Sequence, residues 1–555
     1  MADIDEITQK RDRLKALEEE RDTWIPHWQE ITDYVLPRKG EYLTSGSIPN
    51  IGKKKHSKII DGTATRALRV LAAGMQGGLT SPARPWFRLK LPDEDLMEFG
   101  PVRVWLHDVF VKMRDVFNRS NFYTSIHSIY SELGGFGTAL QFEDVNFEKV
   151  IHFRVMTVGE YCIATNDEGE VDTVYRRYWM TAGQILRQFG YDKLSLPTKQ
   201  LIDNNSLDKW IQVVHAVEPN TERDERMVDN QNFQFSSLYF EYDNKGSTSG
   251  YLRKSGYPEF PYQAPRWDVT GSEIYGRSPG MDILAETKEL QEVSKGQVKA
   301  IHLETDPPMR VPAEYVGKLI RLPGGINPID SNEGKAVGRL FDFKLDIGAV
   351  TALRDDIRLQ IRDGLFNDLF LMMIDTPTEK TATEIAARQE EKLLMLGPVI
   401  ERQFYELLDP LIDRTFGIMN RFGMFRPPPK EIQGMPIDVE YVSLLAQAQK
   451  LVGTQAISAF TGFAIGISEI YPPALDKVDF DEAIDQYGDM TGVPPTIVRA
   501  DDHVAVIRKK RAAELAKQQQ MQQEIASIQG AKEMSETNTE GSNALVDLRN
   551  SMENI

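Results

Sequence analysis

The 555-residue chain contains one cysteine, Cys162. No intrachain disulfide can form and no thiolate metal site can assemble, which suits a reducing compartment. Cys162 sits in a β-rich stretch and reads as a small buried hydrophobe. Histidine is also scarce. His27, His56, His107, His127, His152, His215, His302 and His503 include no two that lie three or four positions apart. That spacing excludes a helical pair of zinc ligands. The chain has no G-x-x-x-x-G-K-[ST] to cradle a nucleotide phosphate. Gly134-Gly135-Phe136-Gly137 lacks the lysine and reads as a helix cap and turn. No uncharged apolar run nears the ~20 residues that cross a bilayer. The polar start, Met1 to Asp5, has no apolar secretory segment. The expectation is a protein without catalysis, cofactor, metal or membrane, assembled in a cytoplasm. Scattered acids, such as Asp355 with Asp356 or Glu379 with Glu384, leave a metal-dependent nuclease open, although solvated helix faces explain them more simply.

Lys and Arg total 65 against 83 Asp and Glu, a net charge of −18. Such a chain repels DNA on average, so any nucleic-acid contact must be local or weak enough to slide. Hydrophobic residues make up 41% and charged residues 27%. That composition supports a buried core, and the length points to roughly two to four domains.

Along the chain, Leu14, Leu17, Trp24, Trp28, Ile31 and Tyr34 recur at helical spacing and predict one long helix over 6–36, ended by Pro37. A loop rich in Gly, Ser, Pro and Lys follows, from Arg38 to His56. Further helices are expected from Asp61 to Met75, stopped by Gly77-Gly78, then through Leu106 to Phe117, and from Phe122 to Leu133. Between about 138 and 270 the residues turn β-branched and aromatic. Val150–Val155, Thr173–Met180, Ile211–Val217 and Ser237–Tyr242 read as strands of antiparallel hairpins. Helix returns over Gly280–Leu303. Asp306 to Phe343, with five prolines, reads as a loop-rich insert. Helix resumes over Asp346–Phe370. Thr381-Ala-Thr-Glu384 has capping-box spacing and opens a helix to Phe422, with kinks expected at Pro398 and Pro410. Pro427-Pro428-Pro429 marks a stiff boundary before a helical C-terminal region.

Four segments, in order, resemble the podovirus-type bacteriophage portal, or head-to-tail connector, family. They are Arg21-Asp-Thr-Trp24 with Trp28 to Tyr34 and Pro37; Gly74 to Pro82 with Pro85-Trp-Phe87; Tyr275-Gly-Arg-Ser-Pro-Gly280; and Thr381 to Glu384 with Leu396-Gly-Pro398 and Arg402. The resemblance covers residues 11 to about 425. It implies an α+β, mainly helical protein with a mixed α/β wing (1–279), two stem helices (280–303 and 346–372) and a clip between them (304–345). A tunnel loop (373–381), a long kinked wing helix with linker (382–434), a helical crown (435–532) and a flexible tail (533–555) complete it.

The resemblance further implies a homo-oligomeric ring, usually of twelve subunits, at one vertex of the virion. Double-stranded DNA passes through its hole during packaging and ejection. The terminase large subunit, major capsid and scaffolding proteins and a tail adaptor are the expected partners. Another virion ring component, a tail adaptor or an ejected internal protein, is the alternative.

Within this frame Ile347, Val350, Leu353, Ile357, Ile361 and Leu365 form an apolar stripe on the second stem helix. Arg354, Arg358 and Arg362 run beside it at i, i+4 and i+8. Lys288, Lys295 and Lys299 give a similar strip on the first. These, with Lys380 of the tunnel loop, are the candidate DNA-channel residues. Pairing of the arginines with acids of a neighbouring subunit is the competing reading. Arg310, Arg321, Glu333, Lys335 and Arg339 are the candidate docking residues of the clip. The Arg508–Arg511 cluster reads as a solvated helix face or a DNA contact.

Overall fold

The computed structural model describes residues 2–40, 43, 58–93, 96–97, 99–224, 226–227, 229–242, 250–306, 308–310, 338–339, 346–372, 395–443, 459–468, 471–491 and 501–536. The chain divides into two compact units, Met1–Val452 and Gly453–Ile555.

The first unit begins with α1 (Ala2–Asp22) and α2 (Ile25–Tyr34). One long helix was expected here. Pro26 has no N–H to offer the preceding turn, so the helix stops and restarts. Next come α3 (Thr63–Leu79), β1 (Phe87–Lys90), α4 (Gly100–Arg119) and α5 (Phe122–Phe136). α3 runs through Gly77-Gly78, and α5 runs through Gly134-Gly135, where breaks were expected. The pair in α5 serves packing. A Cβ at Gly134 would lie 2.6 Å from Leu68 of α3, and one at Gly135 would overlap Leu36. α5 ends instead at Gly137, whose φ of +77° suits only glycine comfortably.

The β-rich region is antiparallel. β2 (Leu140–Asn146) and β3 (Val150–Met156) form a three-stranded sheet with β9 (Tyr262–Gln263), in the order β3-β2-β9. β4 (Tyr161–Thr165), β5 (Val171–Thr181), β6 (Trp210–Pro219), β7 (Phe235–Glu241) and β8 (Arg253–Tyr257) form a five-stranded sheet in chain order. Two short helices, α6 (Ala182–Phe189) and α7 (Leu196–Asp203), interrupt that sheet's chain path. α1 covers one face of the five-stranded sheet: Ile7, Leu14 and Leu17 pack on Cys162, Tyr175, Val214, Leu238 and Phe240. Burial pushes the Cys162 thiol up to about 12, so it stays protonated and inert.

A single-turn helix, α8 (Pro279–Asp282), leads into α9 (Leu284–Thr305). Of the insert that follows, β10 (Met309–Arg310) and β11 (Gly338–Arg339) are described, paired antiparallel. α10 (Ile347–Gly364) ends earlier than expected. Phe366 takes a positive φ of +55°, and α11 (Asn367–Met372) starts in a new direction. Helix is present again over 395–403. A π-helical turn, Phe404–Leu408, then leads into α12 (Asp409–Arg421). The π turn lies immediately before Pro410, where a kink was expected. Proline withholds the N–H that the preceding turn needs, and the wider turn absorbs the mismatch. β12 (Asp438–Tyr441) pairs with β1.

α12 is fastened to the three-stranded sheet by buried polar groups. Arg414 donates to the Glu143 carbonyl (3.1 and 3.0 Å) and to the Glu259 carbonyl (3.1 Å). Thr415 donates to the Glu143 carboxylate at 2.8 Å, and Gln263 donates to it at 3.2 Å. Glu143 is fully buried, and burial pushes its carboxyl up to about 7 against the pull of Arg414.

The second unit contains a helix over 459–468, then α13 (Phe480–Thr491) and α14 (Asp501–Glu536). Arg508 of the basic cluster pairs with Asp481 of α13, whereas Lys509, Lys510 and Arg511 are exposed.

Candidate nucleic-acid interface

α9 and α10 run antiparallel. Ile283, at the start of α9, meets Gly364 at the end of α10, and Gln297 meets Arg354 further along. Their shared seam is unusually polar. Thr287, Gln291, Ser294 and Gln297 are the buried residues of α9 beside Leu284, Leu290 and Ala300. On α10 the buried apolar residues are Ile357 and Ile361, followed by Leu365. Leu353, expected in the same stripe, is 47% exposed, and Val350 is half-buried. The hairpin is therefore well packed near α3 and less covered toward the insert.

Three of the six basic residues on the hairpin are engaged within the chain. Arg358 donates from Nε and Nη2 to one oxygen of Asp61, at 3.0 and 2.6 Å, and to Asp355 at 2.9 Å. Arg354 donates to Gln297 at 2.9 Å, and its buried Nε has no partner among the described residues. Lys288 lies 2.8 Å from Glu30 of α2. The other three reach solvent. Lys295 is exposed and stands 3.6 Å from Glu292 on its own helix. Lys299 and Arg362 are exposed and form no ion pair among the described residues.

Asp61 organises the engaged end. Its other carboxylate oxygen accepts from the Thr63 amide (2.9 Å) and hydroxyl (2.6 Å), capping the entry to α3. Gln291 accepts from the amides of Ile60 and Asp61, at 2.7 and 2.8 Å, and returns a bond to the Asp61 carbonyl at 3.0 Å. Burial alone would raise the Asp61 carboxyl. Hydrogen bonds from Thr63 and Arg358 outweigh it and hold the group below the usual aspartate value. The reciprocal bond raises the Arg358 guanidinium. Asp61 and Gln291 were not singled out in the sequence. The Asp61-Gly-Thr63 start before a helix was the one local signal that could have pointed to Asp61.

Lys380, Thr381–Glu384 and the clip candidates Arg321, Glu333 and Lys335 lie outside the described residues, as does 373–380. Arg310 and Arg339 lie on the paired strands β10 and β11, where Met309 faces Arg339 in register. Among the described residues no group of three or more His, Cys, Asp or Glu side chains is placed to hold a metal ion. No described helix is long and apolar enough to cross a membrane.

Residues 8–498 match the family described as bacteriophage head to tail connecting protein, and the chain belongs to that family. Two curated relatives align over nearly their whole length. A probable portal protein of Bordetella phage BPP-1 is 41% identical over 97% of this chain and 96% of its own. The portal protein of Salmonella phage epsilon15 is 39% identical over 97% of each. A chain from the solved neck of an empty GTA particle covers 72% of this chain and 86% of its own. At 10% identity and a TM-score of 0.31, it carries no argument about the fold.

Proposed function

We propose that this chain is the portal subunit of a double-stranded DNA phage. In this reading it forms a twelvefold ring at one capsid vertex, serves as the conduit for packaging and ejection, and performs no catalysis itself. The observation that carries the reading is the end-to-end similarity to two phage portal proteins. The α9–α10 hairpin is the stem, the insert between them the clip, and 373–381 the tunnel loop. The terminase large subunit and later a tail adaptor dock on the clip, while capsid and scaffolding proteins surround the ring.

The geometry of the hairpin favours a division of labour among its cations. Arg358 and Lys288 hold the hairpin to the wing, Arg354 ties its two helices together, and Lys295, Lys299 and Arg362 are left to meet phosphates. Few free cations per subunit suit a conduit in which DNA slides, because affinity climbs with each phosphate neutralised. Electron microscopy of the purified full chain tests the reading. Closed rings with a central hole are expected, and monomers at micromolar concentration across a range of salt would overturn it.

A further inference from the structure

The five-stranded sheet has a second face, opposite α1. One row of residues crosses it in register: Tyr161 of β4, Arg176 of β5, His215 of β6, Tyr239 of β7 and Arg253 of β8. Residues paired this way project from the same face. The row is built from stacked rings and guanidinium groups. His215 lies parallel to Tyr239 with centroids 3.9 Å apart. Arg253 sits 4.5 Å from the Tyr239 ring and 5.7 Å from Phe189 of α6. Arg176 sits 4.3 Å from the ring of Tyr178. A third arginine, Arg154 of β3, arrives from the other sheet and lies 5.4 Å from Phe142. Phe142 in turn stands edge-on to His215.

Among the described residues these arginines make few hydrogen bonds. Arg154 makes one bond, to Asp144 at 2.6 Å. Arg176 has its nearest carboxylate, Glu160, at 3.8 Å, beyond hydrogen-bonding distance, and its Nε is buried with no partner among the described residues. Arg253 forms no ion pair among the described residues. All three guanidinium groups bear on the same neutral rings. They pull down the Tyr178 hydroxyl, which burial raises, and they add to the burial that holds His215 well below its ordinary value. Asp144 and Glu160 answer these charges only in part, so the face sets three guanidinium groups against two nearby carboxylates.

We propose that Arg154, Arg176 and Arg253 form an oxyanion site that takes a phosphate group, either a phosphodiester of DNA or a free phosphate. Phosphate is favoured over a single carboxylate because two of the three guanidinium groups lack a carboxylate at hydrogen-bonding distance. Two parallel N–H donors from each arginine match a phosphate's tetrahedral oxygens. The aromatic faces fix the guanidinium planes in advance, which reduces the entropy lost on binding. His215 is a positioning residue: it accepts or donates between Ser237 (3.0 Å) and Tyr262 (2.8 Å) and keeps Tyr239 stacked beneath Arg253.

The test uses the full assembled chain and two probes, inorganic phosphate and a short DNA duplex. Binding is followed by calorimetry and by the rise in melting temperature on adding phosphate. Arg176→Gln and Arg253→Gln keep much of the side-chain stem and remove the charge. Each should weaken phosphate binding about ten-fold, the loss of one charged hydrogen-bonded contact, and should shrink the phosphate-dependent rise in melting temperature at a given phosphate concentration. If duplex affinity falls in parallel, the phosphate comes from DNA; if it holds, the site takes free phosphate. Unchanged phosphate binding in both variants would overturn the proposal. So would density for water alone between the arginines in phosphate buffer, or binding of a polyglutamate peptide where phosphate fails.

Discussion

Gly74 of α3 lies against the side chain of Phe370 in α11 so closely that a Cβ at position 74 would overlap the ring. The chain that leaves the α9–α10 hairpin is thus pressed directly onto the helix at the centre of the main core. Gly74→Ala should destabilise the protein by about 1–3 kcal/mol, the usual cost of forcing an extra carbon into a packed core. Gly77, one turn on, has nothing within 4 Å of a built Cβ. Gly77→Ala should be stabilising by about 0.5–1 kcal/mol, because the unfolded chain loses freedom. Denaturant midpoints of the two variants against the parent check both signs.

Asp61 serves two elements with one carboxylate, so its loss should be felt at both. Asp61→Asn removes the charged partner of Arg358 and weakens the cap of α3. A cost of about 2 kcal/mol is expected, from charged hydrogen bonds of this kind. Arg358→Gln should cost about as much, and the double variant less than the sum of the two, since both remove one interaction. A double-mutant cycle by chemical denaturation measures the coupling. Additive losses would show that the pair contributes nothing jointly.

Lys299 and Arg362 provide the contrast. Both are exposed, so Lys299→Glu and Arg362→Glu should shift stability by no more than about 0.5 kcal/mol. If they line the channel, rings should still form while packaged DNA per particle falls. Normal packaging by the double reversal would remove these two from the channel.

The Glu143 carboxyl carries a pH signature. Its folded value, about 7, lies above the ordinary 4.5, so the folded state binds the extra proton. The stability this group contributes is therefore fully present below about 4.5 and is lost as pH rises through 7. The full effect is on the order of 3 kcal/mol. Glu143→Gln mimics the protonated form. Its stability relative to the parent should rise between pH 5 and pH 8, as read from paired melting or denaturant curves. A constant difference across that range would show that Glu143 does not titrate there.

The sequence announced some of this readily. β-Branched and aromatic residues through Thr173–Met180 and Ile211–Val217 marked the strands β5 and β6, and the lone Cys162 is buried in β4 as its surroundings indicated. Other features are long-range and leave no local trace. The partner of Arg358 lies 297 positions away, so periodicity could show which strip of α10 it occupied but not what it touches. Glu143 and Gln141 look like solvent-facing polar residues in a strand, yet both are fully buried under other elements. The glycine pairs were misread for a related reason. A glycine that ends a helix and one that admits a neighbouring helix look identical until the neighbour is in place. The first helix was overextended because the heptad-like apolar pattern continues through Pro26, and pattern alone does not register a missing N–H.

The π turn Phe404–Leu408 sets the angular phase of everything after it. An ordinary helix turns about 100° per residue, and a widened turn accommodates one residue beyond the regular count. Arg414 and Thr415 meet Glu143 only with that residue counted in. Removing any one residue from the turn would restore a regular pitch and rotate both side chains about a quarter-turn off their target. The segment thus works as a spacer whose length is fixed by aim rather than by reach: substitutions within it are constrained side chain by side chain, whereas a one-residue deletion would misdirect the whole of α12 at once.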